Sequence, residues 1–205
     1  MPNLRLPERA ARLRLLLLVA LLAVLAPARA AGFDVPALMG LLAQVKSGEA
    51  TFVEDRRVLQ IDRTIRSAGR LSFAAPDTFV RETLQPRHER LAVVGNQLTM
   101  TRGNRTQTAL LDSVPEAVVI VEAIRGTLTG NREILERYFA ATVQGSAHQW
   151  QLELVPRDPR LRGQVTQLRL SGRQAQVREV RIALADGDSS VMRIEPLATG
   201  APARP

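Results

Sequence analysis

Chemistry-bearing side chains are few in this chain. It holds two histidines and no cysteine. His88 lies in the polar turn Pro86-Arg87-His88-Glu89, and His148 opens an alternating segment. Neither has a second histidine at ligand spacing, so the pattern offers no zinc site. The lack of cysteine removes thiol catalysis, iron–sulfur clusters and cysteine zinc sites. Isolated histidines of this kind read as surface residues. Gly187-Asp188-Ser189-Ser190 superficially has the look of a nucleophile motif, yet no histidine follows it and no strand-to-helix elbow surrounds it. It reads as a turn, and Asp186 with Asp188 falls short of a calcium loop. No glycine-rich phosphate loop follows a strand. The expectation is a protein without metal, cofactor or catalytic machinery.

The informative residues are therefore apolar ones, and the first group stands at the N-terminus. Arg5, Arg9, Arg12 and Arg14 precede an unbroken apolar run from Leu15 to Leu25, followed by Ala28-Arg29-Ala30. The run is short of the roughly 20 residues that span a bilayer. This is the layout of a secretory signal peptide, with cleavage after Ala30 and a periplasmic mature protein expected. The formal charge of +8 falls to +4 once five arginines and Glu8 leave with the signal. Acids and arginines are interspersed, as in Glu54-Asp55-Arg56-Arg57, and the chain has only seven aromatic residues. Neither a basic stripe nor a stacking platform is present, which argues against nucleic acid as a partner.

The mature chain has length for one domain, expected over residues 31–197, with a Pro/Ala/Gly-rich disordered tail at 198–205. A helix is expected from Asp34 to Val45, with Asp34 as N-cap and Pro36 in the first turn. Strands follow over 50–59, 70–74, 78–84 and 89–94, a Gly95-Asn96 hairpin leads into Leu98 and Met100, and 104–110 makes a sixth strand. Ser113-Val114-Pro115-Glu116 matches a capping box, and the apolar run Ala117–Arg125 reads as a helix closed by Gly126. Its four consecutive β-branched residues, Val118 to Val121, also suit a buried strand. Residues 131–138 suggest a second short helix. Four strands then cover 148–155, 164–170, 174–185 and 189–195; in the first, Trp150, Leu152 and Leu154 share one face. Consecutive short-linked strands imply antiparallel pairing. The fold class is mainly β (α+β): a strongly curved sheet or incomplete barrel with a helical insert.

The run Gly69-Arg70-Leu71-Ser72-Phe73-Ala74-Ala75-Pro76-Asp77-Thr78-Phe79-Val80-Arg81-Glu82 resembles the LolA family of periplasmic outer-membrane lipoprotein carriers. The resemblance continues through Pro86 and the hairpin at Gly95, and the order of elements is similar over residues 33–196. It implies a half-barrel whose open side is covered by helices acting as a lid, enclosing a cavity for acyl chains. It also implies a monomer that takes an acylated lipoprotein or lipidic cargo from an inner-membrane donor to an outer-membrane acceptor. Mapped onto this chain, the implied cargo-binding residues are Leu71, Phe73, Phe79, Leu98 and Met100 of the sheet. Val118, Val121 and Ile124 of the lid join them, as do Trp150, Leu152 and Leu154. In the carriers an arginine directly before the turn proline ties the lid shut. Here Ala75 takes that position, leaving Arg70 and Arg81 as substitutes. An apolar interior also fits a non-transport envelope interaction or sensor module on the same fold, in which those residues merely fill a core.

Overall fold

The computed structural model describes residues 32–197; the expected signal segment and the tail lie outside them. The first helix, α1 (Val35–Leu42), starts where Asp34 accepts the Ala37 N–H at 3.0 Å, with Pro36 in its first turn. It stops three residues short of Val45 and buries Leu38, Met39 and Leu42.

Six antiparallel strands follow: β1 (Ser47–Val58), β2 (Arg63–Ala74), β3 (Thr78–Gln85), β4 (Glu89–Val94), β5 (Gln97–Arg102) and β6 (Arg105–Leu110). β2 starts well before Arg70 because it pairs with β1 along its whole length. Helices α2 (Pro115–Thr129) and α3 (Arg132–Tyr138) come next. The second strand group is β7 (Phe139–Ser146), β8 (Gln149–Pro156), β9 (Val165–Arg173), β10 (Gln176–Leu184) and β11 (Ser189–Pro196). A short helix α4 (Pro159–Arg162), capped by Asp158, connects β8 and β9.

All eleven strands form one sheet in the order β6-β5-β4-β3-β2-β1-β11-β10-β9-β8-β7. β1 and β11 join the two groups through an antiparallel ladder from Ala50–Pro196 to Arg57–Ser189. The edge strands β6 and β7 are consecutive in the chain, so the intervening α2 and α3 must carry the backbone from one edge of the sheet to the other. That connectivity lays the helices across the sheet.

α2 differs from its expected form at both ends. Ser113 does not cap it: its hydroxyl donates to the Leu110 carbonyl at 2.6 Å, and Val114 stands at the N-cap with no side-chain bond. The helix also runs through Gly126 rather than ending there. Leu135 of α3 packs where a Gly126 side chain would stand, with Leu135 Cδ2 only 2.7 Å from that position. The stop comes at Gly130, whose φ of +63° is left-handed and whose missing side chain admits the Met39 carbonyl of α1. Burial on several sides outweighs the weak helix propensity of Val118 to Val121.

The main core lies between α1, α2, α3 and strands β7–β10. Trp150, Leu152, Leu154, Leu168 and Leu170 of the sheet meet Leu38, Leu42, Val119, Ala123 and Leu135 of the helices. The Trp150 indole N–H is satisfied by the Gln174 carbonyl at 2.8 Å.

Candidate functional site

The pairing registers place alternate residues of adjacent strands in rows across one face of the sheet. Met100, Leu91, Arg81, Leu71 and Ala50 form one such row. Leu98, Val93, Phe79 and Phe73 form the next. From the other strand group, Glu54 of β1 continues into Met192, Val180 and Leu170. Over β7–β9 these rows are pressed against helices. Nearer the middle of the sheet they are not, and a cavity of ≈ 630 Å³ remains. One stripe of α2, formed by Ala117, Ile120, Val121, Ile124 and Leu128, lines its helical side.

Seven of the eleven implied cargo-binding residues line this cavity: Leu71, Phe73, Phe79, Leu98, Met100, Val121 and Ile124. Trp150, Leu152 and Leu154 do not. They occupy the same face of the sheet but are at most 1% exposed, packed into the filled core under the helices. Val118 does not line it either; it points off the cavity stripe of α2 and packs against the cluster of Val93, Leu111 and Val121. Val121 therefore belongs to both the cavity wall and a packed cluster. Sequence reasoning missed the contribution of the last two strands: Val180, Ile182, Met192 and Ile194 also line the space. Their alternation was visible, but the face they present depends on the β1–β11 pairing across the whole chain.

Arg81 enters the cavity wall without reaching the lid. Its Nη2 donates to Glu54 at 2.5 Å and to the Ser67 hydroxyl at 3.2 Å, and its guanidinium lies 4.8 Å from the centre of the Phe52 ring. Its Nε is buried with no partner in the protein. Glu54, only 9% exposed, has its charge neutralised by this arginine. The wall is mainly apolar; Arg81 and Glu54 form one internally paired polar spot in it, and Glu49, Arg56, Glu116, Gln176 and several serines also line the space. Arg70, on the opposite face of β2 from Leu71, is exposed. Neither proposed substitute holds the lid.

Another arginine does, and it comes from the helix. Arg125 donates through Nη2 to the Gly95 carbonyl in the β4–β5 turn at 2.6 Å, and through Nη1 to Glu122 at 2.6 Å. Glu122 is 7% exposed, and burial pushes its carboxyl above the usual carboxylate range against the opposing pull of Arg125 and Arg137. The three-residue spacing of Glu122 and Arg125 inside an apolar helix signals their ion pair but not the bond to the turn.

The histidines and Ser189 remain apart. His88 Nε2 lies 2.9 Å from Glu82 and its hydrogen bond holds that carboxyl below the usual range. His148 sits in the β7–β8 turn. Ser189 opens β11 at the cavity wall, while the neighbouring Asp188 accepts the Leu59 N–H at 3.0 Å and Arg56 at 3.5 Å. Among the described residues no group of three histidines or carboxylates is placed to hold a metal.

No curated protein matches the sequence. Among solved structures, the chain is similar to a DUF1329 family protein from Desulfovibrio piger, at 8% identity and a TM-score of 0.47, with 82% of this chain and 92% of that chain covered. It is similar to a LolA superfamily protein from Nitrosomonas europaea at 8% identity and a TM-score of 0.44, covering 79% and 91%. A lipoprotein-sorting protein domain from Vibrio parahaemolyticus, so described in its name, matches at 13% identity and a TM-score of 0.43, covering 82% and 93%. The sequence itself matches the family model "outer membrane lipoprotein carrier protein LolA-like" over residues 26–203, and with its open eleven-stranded sheet and helical cover the chain belongs to that LolA-like family.

Proposed function

We propose that this protein is a periplasmic carrier that shields the acyl chains of a lipoprotein or another lipidic molecule on the way to the outer membrane. The supporting observation is the ≈ 630 Å³ cavity, bounded mainly by apolar residues and bridged by one helix. Its size falls within the range of pockets that take small ligands. An interaction module with a merely structural interior would have closed this space, because unfilled apolar volume forfeits packing. Each acyl methylene moved from water into such a space contributes about 0.8 kcal/mol. Ten of them give roughly 8 kcal/mol before the cost of immobilising the chain, so affinity requires no dedicated polar contact.

The export reading rests on residues 1–30: N-terminal sequencing of the exported protein should begin at Ala31. In this proposal an inner-membrane donor and an outer-membrane acceptor exchange the cargo, the protein acts as a monomer, and no reaction is catalysed.

The test is direct. Organic extracts of protein purified without detergent should contain stoichiometric acyl lipid by mass spectrometry, and that lipid should displace a fluorescent acyl probe. Protein that contains no lipid and takes up no probe would reject the carrier function and favour the interaction module.

A further inference from the structure

The β1–β2 hairpin ends in a tip that the cavity does not use. A single 3-10 turn, Leu59–Ile61, caps it, and Asp62 follows in the left-handed region at φ 45°. Leu59, Ile61 and, just into β2, Ile65 are 45%, 57% and 46% exposed. Large aliphatic side chains usually avoid such exposure in a cluster. Four arginines flank them: Arg56, Arg57, Arg63 and Arg66. Arg56 faces Asp188, and Arg66 stands 3.9 Å from Asp55. Arg57 and Arg63 have no ion-pair partner among the described residues.

The tip is braced rather than loose. The Leu59 N–H donates to Asp188, and the Leu59 side chain fits against Gly187, where any side chain would collide with Leu59 Cδ1. The β10–β11 turn thereby holds Leu59 in place at the tip. It also stands near one end of the cavity, since Arg56, Leu184 and Ser190 line that end.

We infer that this tip docks the protein on an anionic phospholipid surface, with Leu59, Ile61 and Ile65 entering the headgroup–acyl boundary and Arg57 and Arg63 meeting lipid phosphates. The combination of apolar wedge and flanking cations is what such an interface selects. Docking there would set one end of the cavity beside the bilayer. The inference goes beyond the carrier proposal and does not require it.

The test uses the chain's freedom from cysteine. Gln60→Cys places a single thiol within the turn, and an environment-sensitive dye on it reports the tip alone, whatever the N-terminal segment does. Phosphatidylethanolamine vesicles containing phosphatidylglycerol should shift its emission to the blue, and vesicles without phosphatidylglycerol should do so far less. A dye on Thr106→Cys, on the exposed strand β6, should not shift. Ile61→Ser should weaken the partitioning read at position 60 about tenfold. Arg63→Gln should weaken it about fivefold. Salt at 1 M, where screening reaches only ~3 Å, should remove most of the preference for the anionic lipid. Acyl-probe uptake should stay at the wild-type level in Ile61→Ser, which separates loss of docking from loss of the cavity. No blue shift at position 60, or a shift indifferent to phosphatidylglycerol and to both substitutions, would overturn the inference; the first result with intact probe uptake would point to a protein partner for the tip.

Discussion

Replacing Arg125 with glutamine should cost stability in a way that depends on pH. The guanidinium is 16% exposed and the Glu122 carboxylate 9%, so water does little to screen the pair. Removing the arginine breaks the bond to the Gly95 carbonyl, a charge-assisted contact of about 1.5–3 kcal/mol. It also strands Glu122, and a buried unpaired charge costs about 3–5 kcal/mol. Protonation caps that second loss. An ordinary glutamate titrates near ~4.3, so holding it neutral in the fold costs about 1.36 kcal/mol per pH unit above that value, or roughly 3.7 kcal/mol at pH 7 and 1 kcal/mol at pH 5. The sign follows because Arg125 pulls the burial-raised Glu122 carboxyl down, so removing the arginine raises that carboxyl further. The folded state takes up its proton before the unfolded state does, so the penalty is full above the raised value and shrinks as pH falls toward the ordinary one. Urea unfolding of wild type and Arg125→Gln at pH 7 and pH 5 should therefore show a deficit that narrows at the lower pH. In Arg125→Gln/Glu122→Gln the narrowing should vanish. An equal deficit at both pH values, or an Arg125→Gln protein within ~0.5 kcal/mol of wild type, would refute this account of the lid contact.

Ile124→Glu should leave a folded protein that binds an acyl probe at least tenfold more weakly, because Ile124 faces the cavity without sharing the Val93–Leu111 cluster; fluorescence titration beside a melting curve checks it. Leu152→Ala, in the filled half, should cost about 2–5 kcal/mol in denaturant while the surviving folded fraction keeps its probe affinity. Gly126→Val should destabilise by about 1–3 kcal/mol, since the new side chain meets the buried Leu135, and calorimetry would read this directly. In His88→Ala the Glu82 carboxyl should titrate higher, as the hydrogen bond that holds it down is gone, and carbon-detected NMR would follow it.

Local signals in the sequence located most elements, and long-range ones decided where they went. Asp34 and Pro36 marked α1, and Gly95-Asn96 marked the β4–β5 hairpin, because caps and tight turns are settled within a few residues. β7 escaped notice: Ala140, Ala141 and Gly145 dilute its alternation, and only pairing with β8 makes it a strand. The motif at Ser113 failed locally: its hydroxyl donates back to the Leu110 carbonyl, and Val114 stands at the N-cap instead. For the site, the rows through Leu71 and Phe79 follow from hairpins between neighbours in sequence. Met192 and Ile194 reach it only through the β1–β11 ladder, and the covering of Trp150 only through helices that cross from edge to edge. Arg125 was passed over because its acceptor, a turn carbonyl thirty residues away, leaves no mark in composition.

The division of the sheet into a filled flank and a hollow flank makes heat resistance a gauge of occupancy. An occupant of the ≈ 630 Å³ space binds the native chain and not the unfolded one, so it shifts the unfolding equilibrium by mass action. At a hundred times its dissociation constant the gain is about 2.7 kcal/mol, which for a domain of this size raises the melting midpoint by roughly 5–10 °C. Freshly isolated material carrying mixed loads should then melt in two steps, and stripping with organic solvent should merge them into the lower one. Under the carrier proposal the melting profile then reports any cargo with no label and no knowledge of what it is.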